Sequence, residues 1–372
     1  MEKVNRRSVV RAAALSAAGV VLAAPRAGPL RVGFSCDAAD RYGAHLDEYL
    51  HALASCRGVD EIAVAAHAGL VETRARAVLG SRFPKLAVYP DTSSMMAEFS
   101  PALVIVSMEA AHAPAAIETA LAGGADVVAE KPACVRVEDF ERLVRFATDR
   151  KRSLALAFAT RLNPLAIRAR DLIRGGSLGK LYAVQMMFVA DQARLAEPGY
   201  QRSWRAFRDR AGGGHLAWLG IHYVDLAQFL SGARVARVGA LIANAGGQPI
   251  EVEDSAALSL AFDTGITGTL QSGYYLDRGY QTGIRLWGSQ GWAHLDLKGE
   301  RKLVWTSGGT TKTVVAGNDP AAANEYPAMV QAAVDSTRGT EPWFITAQES
   351  LRTLRVVFAA YRSAATGAFV VP

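Results

Sequence analysis

The chain has 372 residues, of which half are hydrophobic and a fifth are charged, so it has the composition of a globular protein with room for two cores. Its formal net charge is +6, but residues 1–27 hold five basic residues and one acidic residue, which leaves +2 for the rest. That balance gives no reason to expect nucleic acid or an anionic membrane as a partner. Three cysteines without CxxC spacing or a neighbouring histidine cluster indicate neither a zinc site nor a disulfide framework, and no other metal site is predicted.

The first 27 residues have the pattern of an export signal. A basic segment with the adjacent pair Arg6 and Arg7 precedes an apolar run at 12–24. That run is shorter than the ~20 residues that a membrane-spanning helix needs, so no stable membrane insertion is expected. The segment resembles a twin-arginine (Tat) signal cleaved near Ala24 or Ala27, which predicts a periplasmic or otherwise exported protein. An uncleaved amphipathic start and a lipoprotein-like anchor are the alternatives.

Short apolar segments alternate with helical segments from residue 28 to residue 158, as in a parallel sheet with crossover helices. The predicted strands are 30–34, 61–66, 86–89, 102–106, 127–128 and 154–158. The predicted helices are 40–55, 71–80, 112–122 and 137–151. The pattern predicts a doubly wound, Rossmann-type α/β domain that binds a nucleotide.

The pattern changes after residue 158, which predicts a second domain over 159–372. The predicted helices are 163–174, 215–230, 324–337 and 347–366. The predicted strands are 180–191, 235–244, 255–262, 265–274, 281–287 and 292–297. Turn residues separate the later strands, which is typical of an antiparallel sheet, so this domain is expected to be α+β.

Glu130, Lys131 and Pro132 follow the predicted strand at 127–128. In open parallel sheets, ligands bind outside the carboxyl ends of the strands, so this charged pair would lie where a cofactor and a substrate meet. A lysine there can be held charged by Glu130, or can lose its proton easily if it is buried. The alternative is that the tripeptide is merely a polar turn.

Four separated motifs occur in one order along the chain. They are the Glu130–Pro132 loop, the Gly212–Gly214 helix start with the polar residues that follow it, the Gly288–Gly291 segment and the Tyr361–Gly367 segment. Together they resemble the Gfo/Idh/MocA family of oxidoreductases over nearly everything after the signal. The resemblance implies a Rossmann domain, a second domain with a large open sheet, NAD or NADP as cofactor and a sugar-like substrate. It also implies a homodimer or homotetramer paired through that sheet, and a cis peptide bond before Pro132.

The resemblance assigns catalytic roles to Lys131 and His222. In an alcohol oxidation, His222 would take the hydroxyl proton while hydride leaves for the nicotinamide, and Lys131 would hydrogen-bond the developing alkoxide. Imidazole suits a base because its reference pKa, about 6.5, lies near working pH. The alternative for His222 is a core histidine. Asp225, about one helical turn later, either orients the imidazole or anchors the helix. Glu130, Lys131 and Pro132 are also expected to contact the cofactor.

Five further residues are site candidates with structural alternatives. Arg161 and Arg205 are expected to contact substrate or cofactor, or else to form structural salt bridges. His112 lies near the nicotinamide in the family, although capping of its helix is the simpler explanation. Trp218 occupies the position of the family's usual aspartate and cannot take a proton, so it is either an apolar platform for a sugar ring or a core residue. His215 is an outside candidate for a catalytic group.

The chain departs from the family at the turn after the first strand. A GxGxxG turn is expected there, since only glycine lets the backbone approach a pyrophosphate, but residues 33–43 carry side chains and two aspartates instead. Gly33, Arg41 and Gly43 are the remaining candidates for cofactor contacts. The second strand leads into His67, which is neither the acid that suits NAD nor a base that suits NADP, although two arginines lie on the next helix.

The leading functional hypothesis is an exported NAD(P)-dependent oxidoreductase acting on a CH–OH group of a sugar, polyol or related carbohydrate. An exported enzyme cannot easily exchange nicotinamide with a cytoplasmic pool, so the cofactor is expected to stay tightly bound. One alternative is an NAD-dependent glycoside-cleaving enzyme that works by oxidation and elimination. Another is a non-catalytic carbohydrate-binding protein that has lost its cofactor.

Overall fold

The computed structural model describes residues 28–38, 42–43, 45–317 and 324–372. The predicted export signal at 1–27 and the predicted cofactor contact Arg41 lie outside the described residues. The chain forms two compact units. The first unit contains the described residues up to Leu162 together with Glu325–Leu351, and the second contains Asn163–Asn324 and Arg352–Pro372. Within the described part of the chain, no helix combines the length and the apolar character needed to cross a membrane.

The first unit is built on a six-stranded parallel sheet. Its strands are β1 (Arg31–Cys36), β2 (Glu61–Ala66), β3 (Ala87–Tyr89), β4 (Leu103–Ser107), β5 (Asp126–Ala129) and β6 (Leu154–Leu156). Their order is β3-β2-β1-β4-β5-β6, and every neighbouring pair is parallel. This is the order of a doubly wound dinucleotide-binding sheet, with its switch point between β1 and β4. The Rossmann prediction is therefore confirmed.

Helices cover this sheet because each carries an apolar stripe. They are α1 (Leu46–Ser55), α2 (Gly69–Leu79), α3 (Thr92–Glu98), α4 (Ala113–Ala122) and α5 (Val137–Asp149). In α5 the buried residues Phe140, Leu143, Val144 and Ala147 follow helical spacing, while the charged residues between them face outward. Helix α3 escaped prediction; its N-cap, Asp91, accepts a 2.7 Å hydrogen bond from the Ser94 N–H.

The structure corrects the predicted domain division at the C-terminal end. Helix α10 (Tyr326–Thr337) belongs to the first unit, whereas the sequence pattern placed all of 159–372 in the second domain. The reason is packing against α1 and the turn that follows it. The Gln331 side chain accepts a 2.8 Å hydrogen bond from the Arg57 N–H, and Arg338 donates to the Gly58 carbonyl at 2.6 Å. The boundary falls within α11 (Ala347–Thr366).

The second unit is built on an eight-stranded sheet of order β14-β13-β12-β11-β7-β10-β9-β8. Its strands are β7 (Leu181–Asp191), β8 (Val235–Ala243), β9 (Ser255–Phe262), β10 (Thr267–Leu276), β11 (Tyr280–Gly288), β12 (Gly291–Asp296), β13 (Lys302–Ser307) and β14 (Thr310–Val315). Among the strands that the structure describes in this sheet, only β7 and β10 pair in parallel, so the prediction of a mostly antiparallel open sheet is confirmed. The hairpin of β13 and β14 was not predicted, although Gly308 and Gly309 supply the two positive φ angles of its turn.

Short helices connect the strands of the second unit. The α-helices are α6 (Pro164–Arg174), α7 (Pro198–Arg202), α8 (Arg208–Ala211) and α9 (Ile221–Ser231). Two 3₁₀ helices at Ala193–Ala196 and Trp204–Ala206 flank α7. The single helix predicted over 215–230 is instead a π-helical turn, Leu216–Gly220, that continues into α9. π-Turns inside helices are frequent at functional sites.

Candidate functional site

The switch point of the first unit carries acidic side chains. Asp37 follows β1, and its carboxylate accepts hydrogen bonds from the Glu109 N–H at 3.1 and 3.2 Å. His112 Nδ1 lies 2.9 Å from Asp37 Oδ2. One carboxylate oxygen each of Asp37 and Glu109 and one ring nitrogen of His112 all lie within 4.8 Å of one another. The three groups thus form one hydrogen-bonded cluster at the place where a doubly wound sheet binds its ligand.

His112 is therefore held by Asp37 and does not cap its helix with its side chain. It occupies the N-cap position of α4, but its imidazole makes no capping hydrogen bond. His112 thus takes the capping position that was expected of it, but its side chain does not supply the capping hydrogen bond. Its predicted place near the nicotinamide stays a prediction.

Gly33 and the residues after β1 do not form a glycine turn. Gly33 lies inside β1, where an added Cβ would come within 2.8 Å of Met95 Cε, so its role in the structure is close packing. Gly43 lies in the turn before α1. The first turn of α1 contains Asp47 and Glu48, which already complement the positive end of the helix dipole.

The end of β2 carries a neutral polar group in place of an acid. His67 Nε2 lies 3.4 Å from both the Ser35 and the Thr92 hydroxyl oxygens, and burial lowers the pKa of this imidazole. Arg74 and Arg76, the two arginines of the next helix, form ion pairs with Asp47 and Glu72 at 2.8 Å. The geometry thus favours neither NAD nor NADP.

The Glu130–Lys131 pair is buried at the carboxyl end of β5. Both residues are only 2% exposed, and Lys131 Nζ lies 3.5 Å from Glu130 Oε1. Glu130 Oε2 accepts hydrogen bonds from the Tyr49 hydroxyl at 2.8 Å and the Tyr326 hydroxyl at 3.2 Å. Burial, with the neighbouring Glu130 charge, raises the pKa of both tyrosines well above the usual value, so they remain donors. The Lys131–Pro132 peptide bond is cis, as predicted.

Arg161 forms a salt bridge, which is one of the two roles predicted for it. Its guanidinium is 3% exposed and donates to Glu349 Oε1 at 3.0 Å. The Arg161 charge and hydrogen bonds lower the pKa of Glu349 against the opposing effect of burial. This ion pair ties the 3₁₀ helix Ala159–Leu162 to the start of α11 within the first unit.

In the second unit, one buried carboxylate organises the glycine run. Glu253 accepts hydrogen bonds from the Gly214 N–H at 2.7 Å, the Leu216 N–H at 2.9 Å and the Tyr361 hydroxyl at 2.9 Å. An added Cβ on Gly213 would lie 2.0 Å from the Tyr361 hydroxyl oxygen, and one on Gly214 would lie 1.9 Å from the Glu253 carbonyl oxygen. The glycine run and the Tyr361 segment, separate motifs in the sequence, are thus joined at one helix start.

His222 is the second residue of α9 and is partly exposed. Asp225, one turn later, is 1% exposed and accepts a 3.2 Å hydrogen bond from the Thr353 hydroxyl of α11. This contact supports the anchoring role that was one of two predicted for Asp225.

His215, Trp218 and Arg205 lie next to the glycine run. His215 is fully buried, and its Nδ1 lies 2.7 Å from the Ser272 hydroxyl. Burial, reinforced by the Arg194 charge, lowers the pKa of His215 to about 3, so this imidazole is neutral near pH 7. Trp218 is 3% exposed and packs against Trp204, with ring centroids 4.8 Å apart, under the Arg205 guanidinium at 4.5 Å. Trp218 is thus covered on this side by Trp204 and Arg205.

Several polar contacts of these sites were not predicted. Tyr49 and Tyr326 hold Glu130, and Glu253 holds the glycine run. Each sits far along the chain from its partner, and a lone tyrosine or glutamate in a mixed segment carries no local signal. The signal that could have indicated one of them is the run of three glycines, because consecutive glycines allow another group to approach the backbone closely.

Two family models match the chain. The model described as the oxidoreductase family, NAD-binding Rossmann fold, matches residues 43–158, and that of the GFO/IDH/MocA C-terminal domain matches residues 166–294. Together they cover about two thirds of the chain.

Relatives and solved structures agree with these matches. The chain is 30% identical over 187 residues to dTDP-3,4-didehydro-2,6-dideoxy-alpha-D-glucose 3-reductase of Streptomyces violaceoruber, covering 50% of this chain and 52% of the relative. It is 25% identical over 183 residues to levoglucosan dehydrogenase of Pseudarthrobacter phenanthrenivorans, covering 43% of this chain and 46% of the relative. The matches thus span about half the length of these relatives. The crystal structure of an oxidoreductase domain protein from Kribbella flavida shares the fold, with a TM-score of 0.80 and 21% sequence identity. The match covers 93% of this chain and 100% of that one.

The strand order of the parallel sheet agrees with the matched NAD-binding Rossmann fold. The chain belongs to the GFO/IDH/MocA oxidoreductase family.

Proposed function

We propose that this protein is an NAD(P)-dependent oxidoreductase that acts on a CH–OH group of a sugar, a polyol or a related carbohydrate. The observation that carries the proposal is the buried Glu130–Lys131 pair at the carboxyl end of β5, in a fold that the family model describes as NAD-binding. Both relatives described above are named for carbohydrate substrates, which supports the substrate class.

The strand order of the first unit, with its switch point between β1 and β4, is the one that binds dinucleotides in doubly wound sheets. The least favourable group is the Asp37 carboxylate, which would repel phosphate, but it is compensated by the Glu109 N–H and by His112. Gly43, His112 and the Glu130–Pro132 loop, with Arg41 from outside the described residues, are the groups proposed to hold NAD or NADP.

The side chains then have separate tasks. The nicotinamide, when bound, supplies the hydride chemistry. Lys131 carries an ammonium with three N–H donors, which stabilises a substrate oxygen as negative charge develops on it. His222 takes the hydroxyl proton in the direction of oxidation and returns it in the direction of reduction. Glu130, fixed by Tyr49 and Tyr326, holds the Lys131 ammonium in place.

The test is hydride transfer to added NAD or NADP with a panel of sugars and polyols, comparing the natural protein with Lys131→Met. The variant keeps the length of the side chain and removes its charge, so turnover should fall at least about 100-fold. Lys85→Met, at an exposed position of the same unit, is the matched control and should keep full turnover. The melting temperature with and without nucleotide separates a lost chemical role from a lost fold. Unchanged turnover in Lys131→Met would remove this lysine from the mechanism.

A carbohydrate-binding protein without cofactor is the second candidate. The acidic groups around the switch point, Asp37, Glu109, Asp47 and Glu48, favour it because they oppose phosphate binding. Protein purified after cytoplasmic expression distinguishes the two. Nucleotide released on denaturation, or a melting temperature raised by NAD or NADP, supports the oxidoreductase; repeated preparations with neither result support the binding protein.

We further propose export through the Tat pathway with the cofactor already bound. The support is the Arg6–Arg7 pair ahead of the apolar run at 12–24. A change of both arginines to lysine should leave the protein in the cytoplasmic fraction, while Arg11→Lys should not. Equal export of the double variant would contradict this proposal.

We also propose that two copies pair through the outer face of the eight-stranded sheet. Apolar side chains stand exposed on this face, among them Met187, Leu241 and Trp287, with Leu241 78% exposed. Such a patch favours a protein partner. Light scattering should give at least a dimer for the natural protein and a smaller species for Leu241→Arg. A natural protein that is monomeric at micromolar concentration would overturn the proposal.

A further inference from the structure

Two arginines lie among aromatic rings in the second unit. Arg194 belongs to the 3₁₀ helix Ala193–Ala196, and its guanidinium lies 5.6 Å from the centroid of the Tyr274 ring. Arg205 belongs to Trp204–Ala206, and its guanidinium lies 4.5 Å from the Trp218 ring and 5.1 Å from the Trp204 ring. Both guanidinium groups are partly buried, so water screens their charge less than it would on an open surface.

Both arginine charges act on the same two phenols. Tyr200 and Tyr274 are 4% and 7% exposed, and burial raises the pKa of each, while Arg194 and Arg205 oppose that rise. The net direction is upward, so both phenols stay protonated and neutral. They can orient the guanidinium groups, but they do not supply a negative charge to balance them.

Arg194 has no carboxylate partner among the residues that the structure describes. Other arginines of the second unit do: Arg170 pairs with Asp171 and Arg234 with Asp263, at 2.8 and 2.9 Å. Two acids of the described chain lie three residues from Arg194, Asp191 and Glu197, and neither forms an ion pair with it. Asp191 instead accepts a 2.6 Å hydrogen bond from the Ala193 N–H. A partly buried cation without a counter-charge is costly, and an anionic ligand would offset that cost.

A second observation points to a ligand at the same place. His215 is fully buried with its ring centroid 4.5 Å from that of Tyr274, and its Nε2 has no hydrogen-bond partner in the described part of the chain. Buried polar atoms are nearly always paired, so an unpaired ring nitrogen near the Arg194 charge calls for a partner that the described chain does not supply. Tyr280 borders the cluster next to Arg194 and is 43% exposed, which opens one edge of it to solvent.

We propose that Arg194 and Arg205, with Tyr200, Tyr274 and His215, bind the anionic group of an acidic carbohydrate, either a carboxylate or a phosphate. The planar guanidinium fork matches both anions, and the neutral phenols add hydrogen-bond donors. This inference rests on the proposed function and narrows its substrate class from sugars in general to acidic sugars. Arg194 acts here as a binding residue and has no part in the chemical step.

The test measures binding to the full chain of four probes at matched ionic strength: glucuronate, gluconate, a glucose phosphate and glucose. At least one acidic probe should raise the melting temperature, and glucose at the same concentration should not. Preference between the carboxylates and the phosphate identifies the anion. Arg194→Gln should weaken binding of that probe about ten- to a hundredfold, the usual effect of losing a charge-assisted contact.

Arg202→Gln is the matched control, since Arg202 is exposed, lies in the adjacent α7 and carries the same charge. It should bind the acidic probe as the natural protein does. The inference is overturned if no acidic probe binds, if glucose binds equally well, or if Arg194→Gln leaves the preference unchanged. NAD(P)-dependent turnover of neutral sugars alone would overturn it and leave the oxidoreductase standing. If an acidic probe binds in a way that depends on Arg194 but the protein binds no nucleotide, the inference stands and the oxidoreductase proposal is overturned.

Discussion

At the scale of single residues, Glu130 is held from two distant parts of the chain. Tyr49 of α1 and Tyr326 of α10 both donate to its Oε2 atom, while its Oε1 atom faces Lys131. A buried carboxylate with so many donors is well compensated, and removal of one donor leaves an oxygen less satisfied in a site with little water. The tyrosines are therefore positioning residues for Lys131.

Tyr49→Phe should reduce the free energy of unfolding by about 1–3 kcal/mol, because the ring stays packed while Glu130 loses a 2.8 Å hydrogen bond. Urea unfolding measures the change, and turnover should fall with it. Tyr182→Phe, at a side chain that is 54% exposed, is the control and should stay within about 0.5 kcal/mol of the natural protein. Equal stability of both variants would show that the Tyr49 hydroxyl does not support Glu130.

His215 makes stability depend on pH. The pKa of His215 is lowered to about 3 in the folded protein, against ~6.5 for an exposed imidazole, so the unfolded chain binds the proton more tightly. The contribution of neutral His215 is complete above about pH 6.5 and is lost as the pH falls from there toward about 3. The difference in unfolding free energy between the natural protein and His215→Gln should therefore shrink by about 2 kcal/mol between pH 7 and pH 5.

Urea unfolding at the two pH values measures this difference. Leu70→Gln, at a side chain that is 40% exposed and does not titrate, is the control, and its difference from the natural protein should stay constant over the same window. A His215→Gln difference that is also independent of pH would mean that His215 titrates normally in the folded state.

At the scale of elements, the helix start at Gly212–Gly214 has a steric cause. The Glu253 backbone lies so close to Gly214 that a methyl group has no space, and backbone cannot move aside as a flexible side chain can. The Glu253 carboxylate takes the place of a capping side chain for two N–H groups at this helix start. Burial raises the pKa of Glu253 against the effect of these hydrogen bonds.

Gly214→Ala should lower the free energy of unfolding by at least about 3 kcal/mol, because the added Cβ would lie 1.9 Å from the Glu253 carbonyl oxygen. Gly69→Ala is the matched control, since nothing lies within 4 Å of a Cβ at the first residue of α2, and it should change stability by less than about 1 kcal/mol. Circular dichroism and urea unfolding measure both. A Gly214→Ala protein with the natural unfolding midpoint would contradict the packing described.

Elements with strong periodicity were predicted well, and elements with weak patterns were not. The bounds of β2, β9 and α11 agree with the predicted 61–66, 255–262 and 347–366. β14 was missed because all of its residues are exposed, so its sequence lacks the alternation of apolar and polar residues that indicates a strand. The π-turn at Leu216–Gly220 was predicted as ordinary helix, since a one-residue change in hydrogen bonding leaves the apolar pattern nearly intact.

At the scale of the whole molecule, all three cysteines are free and buried. Burial raises the pKa of Cys36 and Cys56 to about 12 and also raises that of Cys134. The thiolate is the reactive form, so none of these cysteines should react readily while the chain is folded.

A thiol reagent should therefore modify the folded protein slowly and should count three thiols after unfolding in urea. Stability should be the same with and without reductant, because no disulfide joins these residues. Rapid modification of the folded protein, or fewer than three thiols in urea, would contradict the burial of these side chains.

The sequence by itself determined the two-part architecture, the position of the Glu130–Lys131 pair after a buried strand and the start of a helix at the glycine run. These follow from local pattern, because periodicity, charge and glycine content act over a few neighbouring residues. Only the tertiary structure decided that 325–351 returns to the first unit, that Tyr49 and Tyr326 hold Glu130, and that two arginines share one pair of tyrosines. Those contacts join segments that are distant along the chain, and a side chain carries no local sign of the partner that folding will bring to it.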